Sequence, residues 1–236
     1  MSIELVKKSL AEDGFYCVDD PVVGSRIQEM ERNGSQFTSS IMEGWEFCDQ
    51  IVLNNTHVRN NFESSYEFAR LGYYRRIAAD PGHVFQFRKG SQGPDIWLVQ
   101  LWAKGSEAVY FPGSHRIEPR SFRAANRLWE VVQADLGRAG ITGTTKLFKE
   151  GGLVILDARL SLEMPNGNPI TTAFVGANVQ ESIDKELRNW PKLRLPKLDT
   201  QAIAELEKRR IGVHYLIERE IIASDGKEIV GSEAAT

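Results

Sequence analysis

The chain has 236 residues, enough for one sizeable domain or two small ones. Hydrophobic residues make up 42% and charged residues 26%, which excludes a disordered composition. With 29 Lys+Arg against 32 Asp+Glu the formal net charge is −3, so there is no basic field to hold a nucleic-acid backbone or an anionic membrane.

In chain order, Ile3, Val6 and Leu10 recur at helical spacing, and Asp13 and Gly14 break this helix before a strand over 15–18. Pro21 ends the strand, and 24–33 reads as a short helix with Ile27 and Met30 inward. Residues 34–61 carry few periodic signals and many polar side chains, which predicts loops of the kind that form lids or partner contacts. A helical stretch is expected over 66–71. Strands follow at 83–88, at 96–102 (a near-continuous apolar run) and at 109–111. Phe122, Ala125, Trp129, Val132 and Leu136 place one apolar face on a long helix ended by Gly137 and Gly140. Gly151 and Gly152 open a buried strand over 153–156, and a turn over 165–169 precedes a strand over 170–175. A helix over 182–189, a proline-rich crossing and a helix capped by Asp199 follow. Late edge strands are expected at 212–217 and 228–230, with a loose tail over 231–236. Strands with irregular insertions, rather than alternating βα units, predict a mainly β (α+β) fold: a jelly-roll-like barrel decorated with helices. It is read as a single domain over 1–236 with a helical C-terminal extension from about 180.

Cys17 and Cys48 are too few for a disulfide framework or a four-cysteine zinc site and suit a reducing compartment. Cys17 reads as a small core residue. The N-terminal segment is amphipathic rather than secretory, and no window approaches the ~20 apolar residues of a membrane span. A cytoplasmic protein is therefore expected, and the sequons at Asn33 and Asn54 then carry no meaning.

The most specific string is 109–116, a strand closed by Pro112, Gly113, Ser114 and His115. With the helix-to-strand segment 10–18 and the string 149–160, which contains Asp157 and Arg159, it resembles the phytanoyl-CoA hydroxylase-like family. The likeness covers roughly residues 5 to 180. It implies a double-stranded β-helix, cupin-like barrel in which two imidazoles and a carboxylate hold Fe(II) beside 2-oxoglutarate. The family's first ligand pair is His-x-Asp, spaced so that both side chains point into the barrel. In this sequence the corresponding pair is Gln86 and Arg88 or, in an earlier register, His83 and Phe85. The second histidine position holds Leu162, and the arginine that would bind the far carboxylate of 2-oxoglutarate is replaced at Thr172. A leucine has no lone pair for a metal, and a threonine lacks the bidentate fork that a carboxylate needs. The resemblance thus implies a degenerate member with no metal and no catalytic group of its own.

Several residues carry simpler readings. His115 is structural in the family and reads as a hydrogen-bonded turn histidine. Asp157 with Arg159 reads as a local ion pair, Trp97 and Trp102 as core aromatics, and 205–210 as a solvated helix face. His57 and His214 support no functional claim. Three functions remain open. The first is a non-catalytic subunit that pairs with a catalytic paralogue, where Fe(II) and 2-oxoglutarate would reside, as in two-subunit oxygenases of fungal meroterpenoid pathways. The second is a metal-free isomerase or cyclase using His83, Glu163 or Asp157 as acid or base. The third is an oxygenase with unusual ligands such as His83 and His115.

Overall fold

The computed structural model describes residues 3–90 and 95–217. Helix α1 (Ile3–Glu12) turns at Gly14 into strand β1 (Phe15–Asp19), followed by α2 (Pro21–Arg32). Helix α3 (Met42–Cys48) runs into a π turn (Asp49–Leu53), and α4 (Thr56–Ser65) leads to β2 (Phe68–Arg76), β3 (Asp80–Gln86), β4 (Asp95–Trp102) and β5 (Ser106–Tyr110). After a 3-10 turn come β6 (Ser121–Arg123), β7 (Trp129–Val131), α5 (Gln133–Arg138), β8 (Thr144–Phe148), β9 (Gly152–Asp157), β10 (Leu162–Asn166) and β11 (Ile170–Ala177). The chain closes with α6 (Gln180–Leu187), β12 (Leu193–Leu195), α7 (Thr200–Glu207), β13 (Ile211–Val213) and β14 (Tyr215–Ile217).

Two six-stranded sheets carry the fold, ordered β1-β9-β4-β11-β2-β13 and β6-β7-β3-β10-β5-β8. From β2 to β11 the chain passes between a β9-β4-β11-β2 layer and a β3-β10-β5-β8 layer, which is the strand order of a jelly roll. The expected fold class is therefore the one observed: large antiparallel sheets with helices packed on the outside.

Burial explains why the strands read as they do. On β4, Ile96, Leu98 and Trp102 face the other sheet, while Val99 and Leu101 join the core beneath the helices. Both faces are buried, so the strand is apolar throughout instead of alternating. Between the sheets, Trp102 stacks on Phe148 with ring centroids 5.2 Å apart, and Phe15 stacks on Tyr110 at 4.7 Å. On the outer face of the first sheet, Phe47, Val52, Val58 and Phe62 from the helical segments pack against Leu71 and Phe174. A small third cluster, Val84, Val131 and Leu136, lies under α5.

Local chemistry sets the ends of these elements. Asp20 caps α2 by accepting from the N–H groups of Val22 and Val23, with Pro21 in the first turn. Pro21 therefore starts a helix as well as ending a strand. Gly24 lets α2 press on the β8–β9 connection, where a Cβ would sit 2.0 Å from the carbonyl oxygen of Glu150.

Three expected elements differ. Residues 34–41 form the expected loop, but 42–61 are mostly helical, because Trp45, Phe47, Cys48, Ile51, Val52 and Leu53 form a buried stripe on α3 and the π turn. The π turn shifts the helical period and hides that stripe from a 3.6-residue template. Residues 66–71 are not helical, because β2 pairs with β11 along its whole length. The long helix expected over 122–136 is a hairpin of β6 and β7 followed by α5. Phe122, supposedly on its buried face, is 54% exposed. Strands β8 and β10 had no clear signal in the sequence. The helix starting near 182 and the Asp199 cap are present, with Asp199 accepting from the N–H of Ala202. The strands expected over 212–217 are present as β13, which adds to the first sheet beside β2, and β14, so the stretch after 180 combines these strands with α6 and α7. The strand expected at 228–230 and the tail over 231–236 lie outside the described residues.

Candidate functional site

The interior positions of the barrel come from β3, β4, β10 and β11. Leu162 opens β10 between Phe85 on one neighbour and Tyr110 on the other. Phe85 and Leu162 are both buried in the core between the sheets. Gln86 is buried with them, and its amide donates to the carbonyl oxygen of Arg159. Together with Leu98, Leu128 and Met164 these side chains leave a cavity of about 10 Å³, the room of a single water.

Two expected site positions lie elsewhere. His83 is on the surface, with Nδ1 2.8 Å from Oε1 of Glu130. That carboxylate and Asp80 raise the His83 pKa above its ordinary value, so the imidazole serves a surface ion pair. Thr172, expected at the position of the family's arginine, has its Oγ1 3.1 Å from the carbonyl oxygen of Val99, to which it donates. Its neighbours Ile170 and Phe174 belong to the core under the helices, whereas Ala173 and Val175 belong to the core between the sheets. By the two-residue alternation of a strand, Thr171 rather than Thr172 faces inward. Thr171 lines the small cavity, and its Oγ1 has no hydrogen-bond partner among the described residues.

The Pro-Gly-Ser-His turn acts as a structural clasp. After Pro112, the N–H of Gly113 donates to the carbonyl oxygen of Asp13 at 2.9 Å. The buried Ser114 accepts from the N–H of Ser161 at 2.8 Å, and Arg116 donates to the carbonyl oxygens of Ala11 and Glu12. The turn therefore joins the end of α1 to the β9–β10 connection. His115 packs against Gly14, where φ is +85° and a Cβ would lie 2.4 Å from the imidazole Nδ1. That nitrogen is buried without a partner, so the histidine is less fully bonded than expected. Burial lowers the His115 pKa and keeps the ring neutral near pH 7, while a hydrogen bond to the Ala11 backbone opposes the shift.

Beside this clasp, α1 and α4 roof a cleft of about 320 Å³ over the ends of β4 and β9. Trp97 donates from Nε1 to the Tyr66 hydroxyl at 2.5 Å, and that hydroxyl donates to Oδ2 of Asp95 at 2.8 Å. Burial and the Asp95 carboxylate hold the Tyr66 phenol well above its ordinary pKa, so it stays a neutral donor. Asp157 takes hydrogen bonds from the Arg159 backbone N–H and Nε, both at 2.8 Å, and from Nη2. The expected ion pair is present, and it closes one end of the cleft. Asn61 on α4 also lines the cleft; it is 5% exposed, and its Oδ1 has no partner among the described residues. Sequence reading missed Asn61, Tyr66 and Asp95, since no short motif joins residues drawn from separate elements.

The groups proposed for acid–base work are engaged and scattered. Asp157 is held by Arg159, Glu163 accepts from the N–H of Gly82 at 2.8 Å, and His83 faces Glu130. Nor do the barrel residues fit an Fe(II) centre. Gln86, Leu162 and Thr171 offer no imidazole or carboxylate, and His83 and His115 lie in separate surroundings. Among the described residues no group of three or more His, Cys, Asp or Glu side chains is placed to hold a metal. Likewise, no helix among them is long and apolar enough to cross a membrane.

No protein-family model matches the chain, and no curated protein matches it in sequence. Solved structures do resemble it. The epimerase SnoN, in complex with Fe3+, alpha ketoglutarate and nogalamycin RO, aligns over 74% of this chain and 83% of its own at 10% identity and a TM-score of 0.48. AviO1 from Streptomyces viridochromogenes Tue57 aligns over 81% of this chain and 98% of its own at 13% identity and a TM-score of 0.48. EctD from S. alaskensis, with 2-oxoglutarate and 5-hydroxyectoine, aligns over 75% and 76% at 14% identity and a TM-score of 0.41.

Proposed function

We propose that this chain is a non-catalytic subunit with an oxygenase-like barrel, one that pairs with a catalytic Fe(II)/2-oxoglutarate-dependent dioxygenase in fungal meroterpenoid biosynthesis. The observation that carries this reading is the barrel interior, where Phe85, Gln86, Leu162 and Met164 leave only about 10 Å³ and offer neither imidazole nor carboxylate. The clasp around Ser114 and the Asp157–Arg159 pair keep the framework in place without that chemistry. A folded barrel with a filled centre can still offer a surface to a partner, which requires no reacting constellation. Fe(II) and 2-oxoglutarate would then belong to the partner. The isomerase or cyclase alternative has less support, because the 10 Å³ inside the barrel admits no substrate and, of the acid–base candidates, only Asp157 borders the larger cleft, where Arg159 holds it.

Co-expression with a catalytic oxygenase paralogue, followed by size and metal analysis, tests the reading. A one-to-one complex with iron only in the paralogue, turning over faster than the paralogue alone, is the expected result. If the chain alone retained one iron and consumed 2-oxoglutarate, or left the paralogue monomeric and its rate unchanged, the reading would be wrong.

A further inference from the structure

We propose that the cleft beneath α1 and α4 is a binding site for a neutral, hydroxylated ring of monosaccharide or cyclitol size. Its volume of about 320 Å³ falls at the lower end of small-molecule sites, and it lies outside the barrel whose interior is closed. Three features select the ligand's chemistry.

The first is the wall. Trp97 is fixed in place by its own Nε1 bond to Tyr66, and Tyr66 is fixed in turn by Asp95. A wall held this way costs little ordering on binding, and an indole face suits the C–H face of a saturated ring. The second is the orphaned acceptor. A buried amide oxygen without a partner is uncommon in a folded protein, and Asn61, which carries one, is a residue of the cleft wall. A turn of the Asn61 side chain toward the cleft would let a ligand hydroxyl supply that hydrogen bond. The third is charge. Lys7 and Arg159 are matched by Asp95 and Asp157, and Lys7 is tethered to the carbonyl oxygen of Ser64 at 3.1 Å. An anion would meet two carboxylates and a cation would meet two basic groups, so a neutral ligand carrying several hydroxyls is favoured. Planar polar groups around an aromatic plate can donate to and accept from adjacent hydroxyls together.

The test is a titration of the whole chain, followed through the indole N–H resonances of its five tryptophans, with the Trp97 signal assigned by Trp97→Phe. Methyl α-D-glucopyranoside, methyl α-L-rhamnopyranoside and myo-inositol serve as probes, with tetramethylammonium and acetate as charged controls. At least one ring should shift the Trp97 resonance saturably while the other four indoles stay in place. Asn61→Leu should weaken that binding about tenfold, the equivalent of one hydrogen bond. If Asn61→Leu does not fold, the wild-type titration still decides. The proposal fails if no ring saturates the Trp97 signal below about 50 mM, the edge of weak binding. It also fails if a charged control saturates the signal and the rings do not.

Discussion

Strands β4 and β9 serve two regions of opposite character. On one face, Leu98, Trp102, Val154 and Leu156 help fill the space between the sheets until about 10 Å³ remains beside Leu162. At the ends of the same two strands, Trp97, Asp95 and Asp157 border a polar cleft of about 320 Å³. The pleat puts neighbouring residues on opposite sides, so one short sequence can close one cavity while furnishing another. The interior gains stability by excluding water. The cleft instead retains unmet hydrogen-bonding capacity at Asn61 and His115, a feature that packing alone would remove.

The largest expected effect is inside the barrel. Phe85→Ala should cost about 3–5 kcal/mol in chemical denaturation, because the rigid walls around it cannot collapse into the space. A loss below about 1 kcal/mol would mean that the interior is not close-packed. Next is Ser114→Ala, which leaves the buried Ser161 N–H without its acceptor and should cost about 1–3 kcal/mol.

The adjacent threonines of β11 sharpen the comparison through opposite signs. Thr171→Val removes an unpartnered inward hydroxyl and should raise stability by about 1 kcal/mol, whereas Thr172→Val loses the bond to Val99 and should lower it by about 1 kcal/mol. Equal effects in matched melts would show that the two faces are misassigned.

The smallest effects are those of pH. Burial lowers the pKa of His115 and of His214, so the unfolded chain takes up their protons first as pH falls below about 6.5. Stability should therefore decline through that window toward the lower folded values, and His115→Gln should flatten the decline. His83 behaves oppositely. Its raised pKa adds stability below about 6.5, which is lost as pH rises through the folded value, and His83→Gln should remove that component. Melting temperatures between about pH 5 and 8 separate the two histidines by the sign of the slope.

How much was legible followed from how local each cause was. Strand β4, the Asp199 cap and the Pro-Gly turn are set by residues adjacent in sequence, and the sequence showed them. The helical layer over 42–65 was obscured because a π turn breaks its period, and the hairpin at 121–131 because Phe122 and Trp129 happen to match a helical spacing. Leu162, placed at the family's second histidine by its spacing behind Asp157 and Arg159, is buried in the barrel core. Thr172, placed by the family spacing where an arginine would bind 2-oxoglutarate, turns to the helical face while Thr171 turns inward, since one residue along a strand exchanges one face for the other. The cleft was invisible because α1, α4, β4 and β9 meet only in three dimensions.

The pairing of β1 with β9 has a consequence for how the protein is made. Phe15 finds its partner at Leu156, so β1 leaves the ribosome long before the strand it pairs with and waits for it. At typical synthesis rates that wait is on the order of ten seconds. Until it ends, the apolar sides of β1 and of the helices around Phe47 and Phe62 have no sheet to cover them. Nascent chains of this protein are thus most exposed to chaperones and to aggregation while β1 awaits β9, and the yield of folded material should depend on how the segment from α1 to α4 is sheltered over that interval.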